Sequence, residues 1–209
     1  MTSSPLVLAS GSPQRRAILR QLGVAFSVVV PEVDELDEGD PEGLVLENAR
    51  RKARAVDGER VLGVDTAVVL DGRPLGKPVD AAEAERFLQD LAGREHQVLS
   101  GFCAREAGRE LVGVGGARVR FRTLSAVEVG DYVATGEWRG RAGGYAVQGR
   151  GALLVKHVAG DFWAVVGLPV AAIASAAPAF LRPDPVDAAS EAEKGRSGGN
   201  LPGGAEGVR

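Results

Sequence analysis

Short apolar runs alternate with helical patterns along most of the chain, and this alternation constrains the fold more than any other feature. Residues 6–9 form one apolar run, residues 13–22 have helical periodicity that ends at Gly23, and residues 25–30 form a second apolar run. A strand, a helix and a strand in this order are typical of an α/β unit. The sequence therefore predicts an α/β fold in which helices flank a twisted, mixed β-sheet.

The alternation continues beyond this first unit. Further helices are predicted over residues 41–56 and 80–91, from Ser125 and from Pro169. Further strands are predicted over residues 61–70, 97–104, 110–121, 152–158 and 163–166. The pair Asp71-Gly72 predicts a hairpin turn, and Ser125 with Glu128 has the spacing of a capping box.

Domain organisation follows from a change in composition near residue 182. We predict one domain over residues 1–182, because 209 residues are enough to bury a single hydrophobic core. Residues 183–209 are rich in Gly, Pro, Ala and charged residues and contain no aromatic side chain. Such a segment buries too little apolar surface to offset the entropy of ordering, so we predict a disordered tail.

Charge and residue counts exclude several classes of function. The chain has 25 Lys and Arg against 28 Asp and Glu, which argues against a nucleic-acid or polybasic membrane partner. No apolar stretch reaches the ~18 residues that a membrane-spanning helix needs. Cys103 is the single cysteine, so we expect no disulfide framework and a reducing, cytoplasmic location. With only His96 and His157 available, we expect any metal to bind carboxylates.

The turn after the first strand has the features of an anion site. Ser12 is a suitable N-cap and Pro13 a suitable first helical residue, so the backbone N–H groups of the helix start are free to bind phosphate oxygens. Helical spacing places Arg15 on the same face as the apolar residues. An inward arginine could simply extend along the core, or pair with a carboxylate, but next to Ser10 and Ser12 we favour a role in binding substrate.

Two further segments supply a cation and carboxylates. Lys52 lies on the border of the apolar stripe of the predicted helix 41–56, from which a lysine can reach a cleft. Asp65 interrupts an otherwise apolar strand, and a buried carboxylate must be paired, metal-bound or placed at a cleft. Asp34 and Glu35, in an acidic loop, by themselves fit a solvated surface equally well.

Gln148 follows a run of small residues that would let a ligand approach the backbone. Its amide offers both donors and an acceptor, which suits the edge of a nucleobase. The same amide could equally satisfy backbone groups of its own loop.

Together these stretches resemble the Maf family, in order and spacing, over roughly residues 6–181. The resemblance is carried by Leu8-Ala9-Ser10-Gly11-Ser12-Pro13 with Arg15, Asn48-Ala49 to Lys52-Ala53, Gly63-Val64-Asp65-Thr66, Gly76-Lys77-Pro78, Leu91-Ala92-Gly93 with His96, Gly136-Glu137, Ala142-Gly143, Gln148-Gly149 and Val166-Gly167-Leu168-Pro169. It implies a fold shared with inosine triphosphate pyrophosphatases.

The resemblance also implies an activity and roles for individual residues. The expected reaction is hydrolysis of a nucleoside triphosphate between its α- and β-phosphates, which gives a nucleoside monophosphate and pyrophosphate with the help of Mg²⁺ or Mn²⁺. Asp65 resembles the family's catalytic carboxylate, and Arg15, Lys52 and Lys77 would neutralise the phosphates. The expected metal ligands are Asp34, Glu35 and Asp65. A cytoplasmic protein, often a homodimer, is implied as well.

Base preference depends on three positions of the family pattern. Arg, Thr and Gln accompany a preference for dTTP and UTP, whereas Trp, Gln and Glu accompany a preference for 7-methyl-GTP. Gln14, Thr66 and Gln148 occupy these positions here. Two of the three match the dTTP and UTP group, and Gln14 matches neither.

Three alternatives stay open at this point. The chain could bind nucleotide without turnover, as a regulator of cell division. It could apply the same chemistry to 7-methyl-GTP or another modified nucleotide. It could also cleave the γ-phosphate and release inorganic phosphate.

Overall fold

A computed structural model describes residues 4–183, which contain a seven-stranded sheet and its flanking helices. The strands are β1 (Leu6–Ala9), β2 (Phe26–Val29), β3 (Arg60–Leu70), β4 (Arg73–Leu75), β5 (Glu95–Glu106), β6 (Arg109–Phe121) and β7 (Val155–Gly160). The α-helices are α1 (Pro13–Gln21), α2 (Pro41–Arg54), α3 (Ala81–Leu91), α4 (Ala126–Ala134), α5 (Phe162–Val166) and α6 (Val170–Ala176). Short 3₁₀ helices cover Ala142–Gly144, Gly149–Leu153 and Pro178–Leu181.

The sheet is mixed, as the sequence predicts. Its strand order is β2-β1-β3-β5-β6-β7, and β4 pairs with β3 outside this path. The pairs β1–β2 and β1–β3 are parallel, whereas the other pairs are antiparallel. Asp71 and Gly72 both have positive φ and connect β3 to β4, which confirms the predicted hairpin turn.

Helices cover both faces of the sheet because alternate residues of β3 point to opposite sides. On one face, Val61 packs with Ala49 and Ala53 of α2. On the other face, Leu62 packs with residues of α1 and α6. Further along the same face, Val68 and Leu70 pack with residues of α3 and α4.

One predicted strand is wrong and another is displaced. Residues 163–166 belong to α5, whose N-cap Asp161 accepts hydrogen bonds from the backbone N–H groups of Trp163 and Ala164 at 2.9 and 3.3 Å. The strand predicted over residues 152–158 is β7 (Val155–Gly160), preceded by a 3₁₀ helix.

Two other predictions concern the ends of the domain and the membrane. The predicted tail lies outside the described residues from position 184 onward. Among the helices of residues 4–183, none is both long and apolar enough to cross a membrane.

Candidate active site

The candidate site lies at a gap in the hydrogen-bonding edge of β3. Along its other edge, β3 pairs continuously with β5 from Arg60 to Val69. On the open side, β1 pairs with residues 60–63 and β4 with residues 68–70. Within residues 4–183, no strand pairs on that side with the intervening residues 64–67, which include Asp65 and Thr66. Within this gap, Asp65 and Thr66 line a cavity.

The sheet geometry sends Asp65 and Thr66 in different directions. Asp65 lies an even number of residues from Val61 and Ala67, so all three are on the same face of β3. This face is turned towards α2, where Lys52 and Asn48 contact Asp65. Close packing makes these contacts possible: a Cβ at position 63 would overlap the backbone of α2 at Ala49. Thr66 points to the opposite side, towards α1 and Arg15.

Arg15 is buried, at 8% exposure, as its helical position predicts. Its Nε donates to the Gly167 carbonyl at 2.8 Å, its Nη1 to Ser10 Oγ at 2.8 Å and its Nη2 to Thr66 Oγ1 at 3.1 Å. No carboxylate among residues 4–183 forms an ion pair with it. Burial lowers the pKa of Arg15, an effect that Asp65 and Glu35 oppose at longer range. A buried cation held by neutral oxygens is suited to bind an anion.

The orientation of the Thr66 hydroxyl follows from its neighbours. Ser100 Oγ donates to the Ala164 carbonyl at 2.8 Å, so it is the acceptor in its 2.7 Å bond with Thr66 Oγ1. Thr66 thus donates to Ser100 and accepts from Arg15. This chain fixes the guanidinium of Arg15 against the sheet.

On the α2 side, Lys52 connects the two carboxylates of the cavity. Its Nζ lies 2.5 Å from Asp65 Oδ1 and 2.9 Å from Glu35 Oε1. Lys77 Nζ lies 2.9 Å from the second oxygen of Glu35, and Asn48 Nδ2 donates to Asp65 Oδ2 at 3.1 Å. Burial opposes ionisation of Glu35, yet Lys52 and Lys77 together lower its pKa to about 2. Both lysines therefore face an ionised carboxylate at neutral pH.

These groups line a cavity of about 480 Å³, a volume typical of small-molecule sites. The described residues that line it include five cationic side chains and two carboxylates: Arg15, Lys52, Lys77, Arg139, Arg141, Glu35 and Asp65. The chain as a whole has a net charge of −3. The cavity is therefore positive within an acidic protein, as a site for a polyanion requires.

The predicted phosphate and base residues also line this cavity. Ser10, Ser12 and Gln14 lie on its α1 side, and Ser12 caps α1 as predicted. Gln14 Oε1 accepts a hydrogen bond from Ser12 Oγ at 3.2 Å. The Gln148 side chain lines the cavity and is exposed, and it has no hydrogen-bond partner within residues 4–183. The alternative that Gln148 satisfies its own loop is therefore not supported.

Asp34 is the one predicted site residue that lies apart from the others. It is exposed and does not line the cavity, and its backbone carbonyl accepts a hydrogen bond from Arg51. Residues 4–183 contain no group of three or more His, Cys, Asp or Glu side chains spaced to hold a metal ion. Glu35 and Asp65 do fit Mg²⁺ or Mn²⁺, because Mg²⁺ is usually bound by one or two carboxylates together with substrate phosphates.

Sequence reasoning missed Arg139 and Arg141. Both line the cavity. Burial lowers the pKa of Arg141, and its Nε is buried without a hydrogen-bond partner among the described residues. The available signal was a pair of arginines on either side of Gly140, within a glycine-rich stretch.

Comparison with known proteins places these features in a family. The model of the family described as "Maf-like protein" matches residues 5–179. A relative from Symbiobacterium thermophilum is 50% identical over 171 residues, which cover 79% of this chain and 88% of that relative. One from Anaeromyxobacter sp. is 50% identical over 190 residues, covering 88% of this chain and 93% of its own. A third relative, from Thermococcus gammatolerans, is 44% identical over 168 residues, which cover 79% of this chain and 91% of that relative. All three are named dTTP/UTP pyrophosphatase.

Proposed function

Because the chain belongs to the Maf-like protein family, we propose that it hydrolyses nucleoside triphosphates to nucleoside monophosphates and pyrophosphate, with dTTP and UTP as preferred substrates. The names of its relatives support this choice of substrates. The observation that carries the proposal is the cavity itself, in which five cationic side chains surround two carboxylates. A nucleoside triphosphate matches it in charge and in size.

Asp65 is the proposed general base. Its two oxygens accept hydrogen bonds from Lys52 and Asn48, which fix the carboxylate at the open edge of β3. Each oxygen retains a further lone pair for a water molecule. In this position Asp65 would accept the proton of the water that attacks the bond between the α- and β-phosphates.

The cations stabilise charge on the phosphates. Arg15 lies on α1, Lys52 on α2 and Lys77 in the connection between β4 and α3, so together they can surround a triphosphate chain. Negative charge develops on the departing pyrophosphate, and fixed cations stabilise it more than they stabilise the bound substrate. Ser10, Ser12 and the N-terminus of α1 would donate hydrogen bonds to phosphate oxygens.

Glu35 and Asp65 are the residues that would hold a divalent metal such as Mg²⁺ or Mn²⁺. When bound, such a metal supplies further charge neutralisation at the phosphates. Lys52 forms ion pairs with both carboxylates, and Lys77 forms a further ion pair with Glu35. Asp34 is not included in this proposed ligand pair, since its side chain lies outside the cavity.

Base recognition is assigned to Gln148 and Gln14, which both line the cavity. Gln148 offers its free amide to the edge of the base, and Gln14 lines the wall next to Ser12. Thr66 supports substrate binding through Arg15, to which it is hydrogen bonded.

The proposal is tested with the purified full chain, Mg²⁺ and a panel of dTTP, UTP, CTP, 5-methyl-UTP, 7-methyl-GTP and ITP. We expect the highest kcat/KM for dTTP or UTP. A preference for 7-methyl-GTP would overturn the proposed substrate and assign Gln14 a role in selectivity. Binding of nucleotide without turnover of any of the six would favour a regulatory protein instead.

Location and assembly complete the proposal. The one cysteine, Cys103, is a buried free thiol, which is compatible with a reducing cytoplasm. We propose a cytoplasmic homodimer with a nucleotide as its ligand and no nucleic-acid partner. Light scattering of the purified chain tests the oligomeric state, and a monomer at micromolar concentration would contradict it.

A further inference from the structure

Gln148 lies in a segment, residues 145–151, that runs into the 3₁₀ helix Gly149–Leu153 and is held in place from outside the cavity. We call this segment the Gln148 loop. Ala146 donates its backbone N–H to Tyr132 Oη at 3.0 Å, and Tyr145 Oη is hydrogen bonded to His96 Nε2 at 2.8 Å. These contacts fix the part of the loop that precedes Gln148 in the sequence. A separate contact fixes the part that follows it.

That second contact is made by the Glu137 carboxylate. One oxygen accepts the backbone N–H of Arg150 at 3.1 Å, and the other accepts that of Gly151 at 3.2 Å. The carboxylate also lies against Gly149, where a Cβ would be 2.8 Å from Glu137 Oε1. Gly149 has a φ of +71°, a backbone conformation that favours glycine. Glu137 therefore contacts the three residues that directly follow Gln148.

Glu137 is itself well anchored, and it does not line the cavity. Its backbone N–H donates to Thr135 Oγ1 at 3.1 Å. The next residue, Trp138, is buried, and its indole N–H donates to the Val133 carbonyl at 3.0 Å. A rigid support thus holds a carboxylate against the Gln148 loop without touching the space where a substrate would bind.

We propose that Glu137 is a positioning residue for base selectivity, which holds the Gln148 loop so that the Gln148 amide faces the base. The inference rests on the proposed function, because it takes Gln148 as the residue that contacts the base. A carboxylate accepts two backbone N–H groups at once, and these charge-assisted bonds are strong. A glutamine at position 137 has one acceptor oxygen and an NH₂ group that cannot accept, so it would keep only one of the two bonds.

The test is a double-mutant cycle on the full chain with Glu137→Gln, Gln148→Ala and the double variant. The measured quantity is the ratio of kcat/KM for UTP to that for CTP, two nucleotides that differ only at the base edge. Glu137→Gln is expected to lower this ratio about tenfold, mainly through the KM for UTP, the size of effect expected for one lost hydrogen bond. In the Gln148→Ala background the same substitution should change the ratio by less than about twofold, because coupled residues are not additive.

Glu128→Gln is the matched control. Glu128 lies on α4 and also accepts a backbone N–H, that of Ser125 at 2.8 Å, but its carboxylate is hydrogen bonded to Ser125 and Arg122 and not to the Gln148 loop. This variant should leave the UTP to CTP ratio unchanged even if it lowers Tm. The inference is overturned if Glu137→Gln also leaves the ratio unchanged, if its effect is equally large without Gln148, or if the parent enzyme does not distinguish UTP from CTP.

Failure of the proposed function gives a different result. In that case the parent chain produces no UMP and pyrophosphate from UTP. The same four proteins are then compared by equilibrium binding of UTP and CTP. A ratio of Kd values that responds to Glu137→Gln only in the presence of Gln148 would still support the positioning role, and any other pattern would overturn it.

Discussion

The Lys52 ammonium lies 2.5 Å from an Asp65 carboxylate oxygen, and both side chains are only 8% exposed. A buried ion pair contributes little net stability, because desolvation of the two charges offsets their attraction. Lys52 also pairs with Glu35, which pairs in turn with Lys77. The arrangement agrees with the proposed catalysis, in which cations and carboxylates are held close to one another before a polyanion enters.

Replacing Asp65 with Asn should reduce kcat by about 10²- to 10⁴-fold, the range typical for loss of a general base. The asparagine amide has the same size as the carboxylate, and its one oxygen can still accept a hydrogen bond from one of the two neighbours. The fold should therefore be retained. Steady-state kinetics with UTP and a circular dichroism melt check both parts.

Asp71→Asn is the control for this substitution. Asp71 is exposed, forms an ion pair with Arg94 and lies in the turn after β3, away from the cavity. Its kcat should be unchanged. An Asp65→Asn variant that retains full activity would show that another group accepts the proton.

The two lysines should differ in their effects on stability. Lys52→Met leaves Asp65 and Glu35 without their shared cation, and breaking a buried pair should lower the free energy of unfolding by about 3 kcal/mol. Lys77 is 53% exposed, so Lys77→Met should cost at most about 1 kcal/mol. Urea denaturation at pH 7 measures both values.

Both lysine variants should nevertheless lose activity, because each removes one positive charge from the phosphate site. A lower kcat/KM in Lys77→Met at unchanged stability would separate the catalytic contribution from the structural one. Equal losses of stability in the two variants would contradict the difference in burial.

Arg15→Lys should raise the KM for nucleotide at least about tenfold, although the charge is preserved. Three different donor nitrogens of Arg15 reach Ser10, Thr66 and the Gly167 carbonyl, and a lysine ammonium cannot reproduce this planar geometry. Arg16→Lys, on the next residue and outside the cavity lining, is the control and should leave KM unchanged. A normal KM in Arg15→Lys would mean that Arg15 serves only to connect α1 to the sheet.

His96 should make the fold sensitive to acid. It is 3% exposed, and burial lowers its pKa to about 4 from an ordinary value of 6.5. Between these two values the unfolded chain binds a proton that the folded chain does not, so stability falls as the pH decreases from 6.5 to 4. The shift corresponds to about 3 kcal/mol, lost over this interval and constant below it.

The measurement is urea denaturation of the parent chain and of His96→Gln from pH 7 to pH 4. The variant lacks the titrating group, so the slope of its free energy of unfolding against pH should be smaller. The difference in slope should correspond to at most one bound proton. Identical slopes for the two proteins would show that His96 is protonated in the folded state.

Much of the fold was predictable because its helices have strong local signals. The caps of α1 and α4 involve Ser12 and Ser125, whose hydroxyls accept hydrogen bonds as expected. The error at residues 163–166 has a specific cause: periodicity cannot distinguish a short buried helix from a strand. Asp161, the N-cap of α5, was the local signal that indicated a helix.

Part of the site was predictable, because two charged residues stand at positions where the pattern of the strand or helix predicts an apolar side chain. Asp65 in an apolar strand and Arg15 on an apolar helix face are both buried. Their partners were not predictable, because the Gly167 carbonyl lies 152 positions from Arg15 along the chain. The gap along β3 is also invisible in the sequence, since it depends on which strands pair with it.

The most direct test of the account is a product analysis of UTP hydrolysis by the parent chain with Mg²⁺. UMP, UDP, pyrophosphate and orthophosphate are quantified separately at early time points. We expect UMP and pyrophosphate in equal amounts, with neither UDP nor orthophosphate formed. UDP with an equal amount of orthophosphate would contradict it, because the bond cleaved would then be the one to the γ-phosphate.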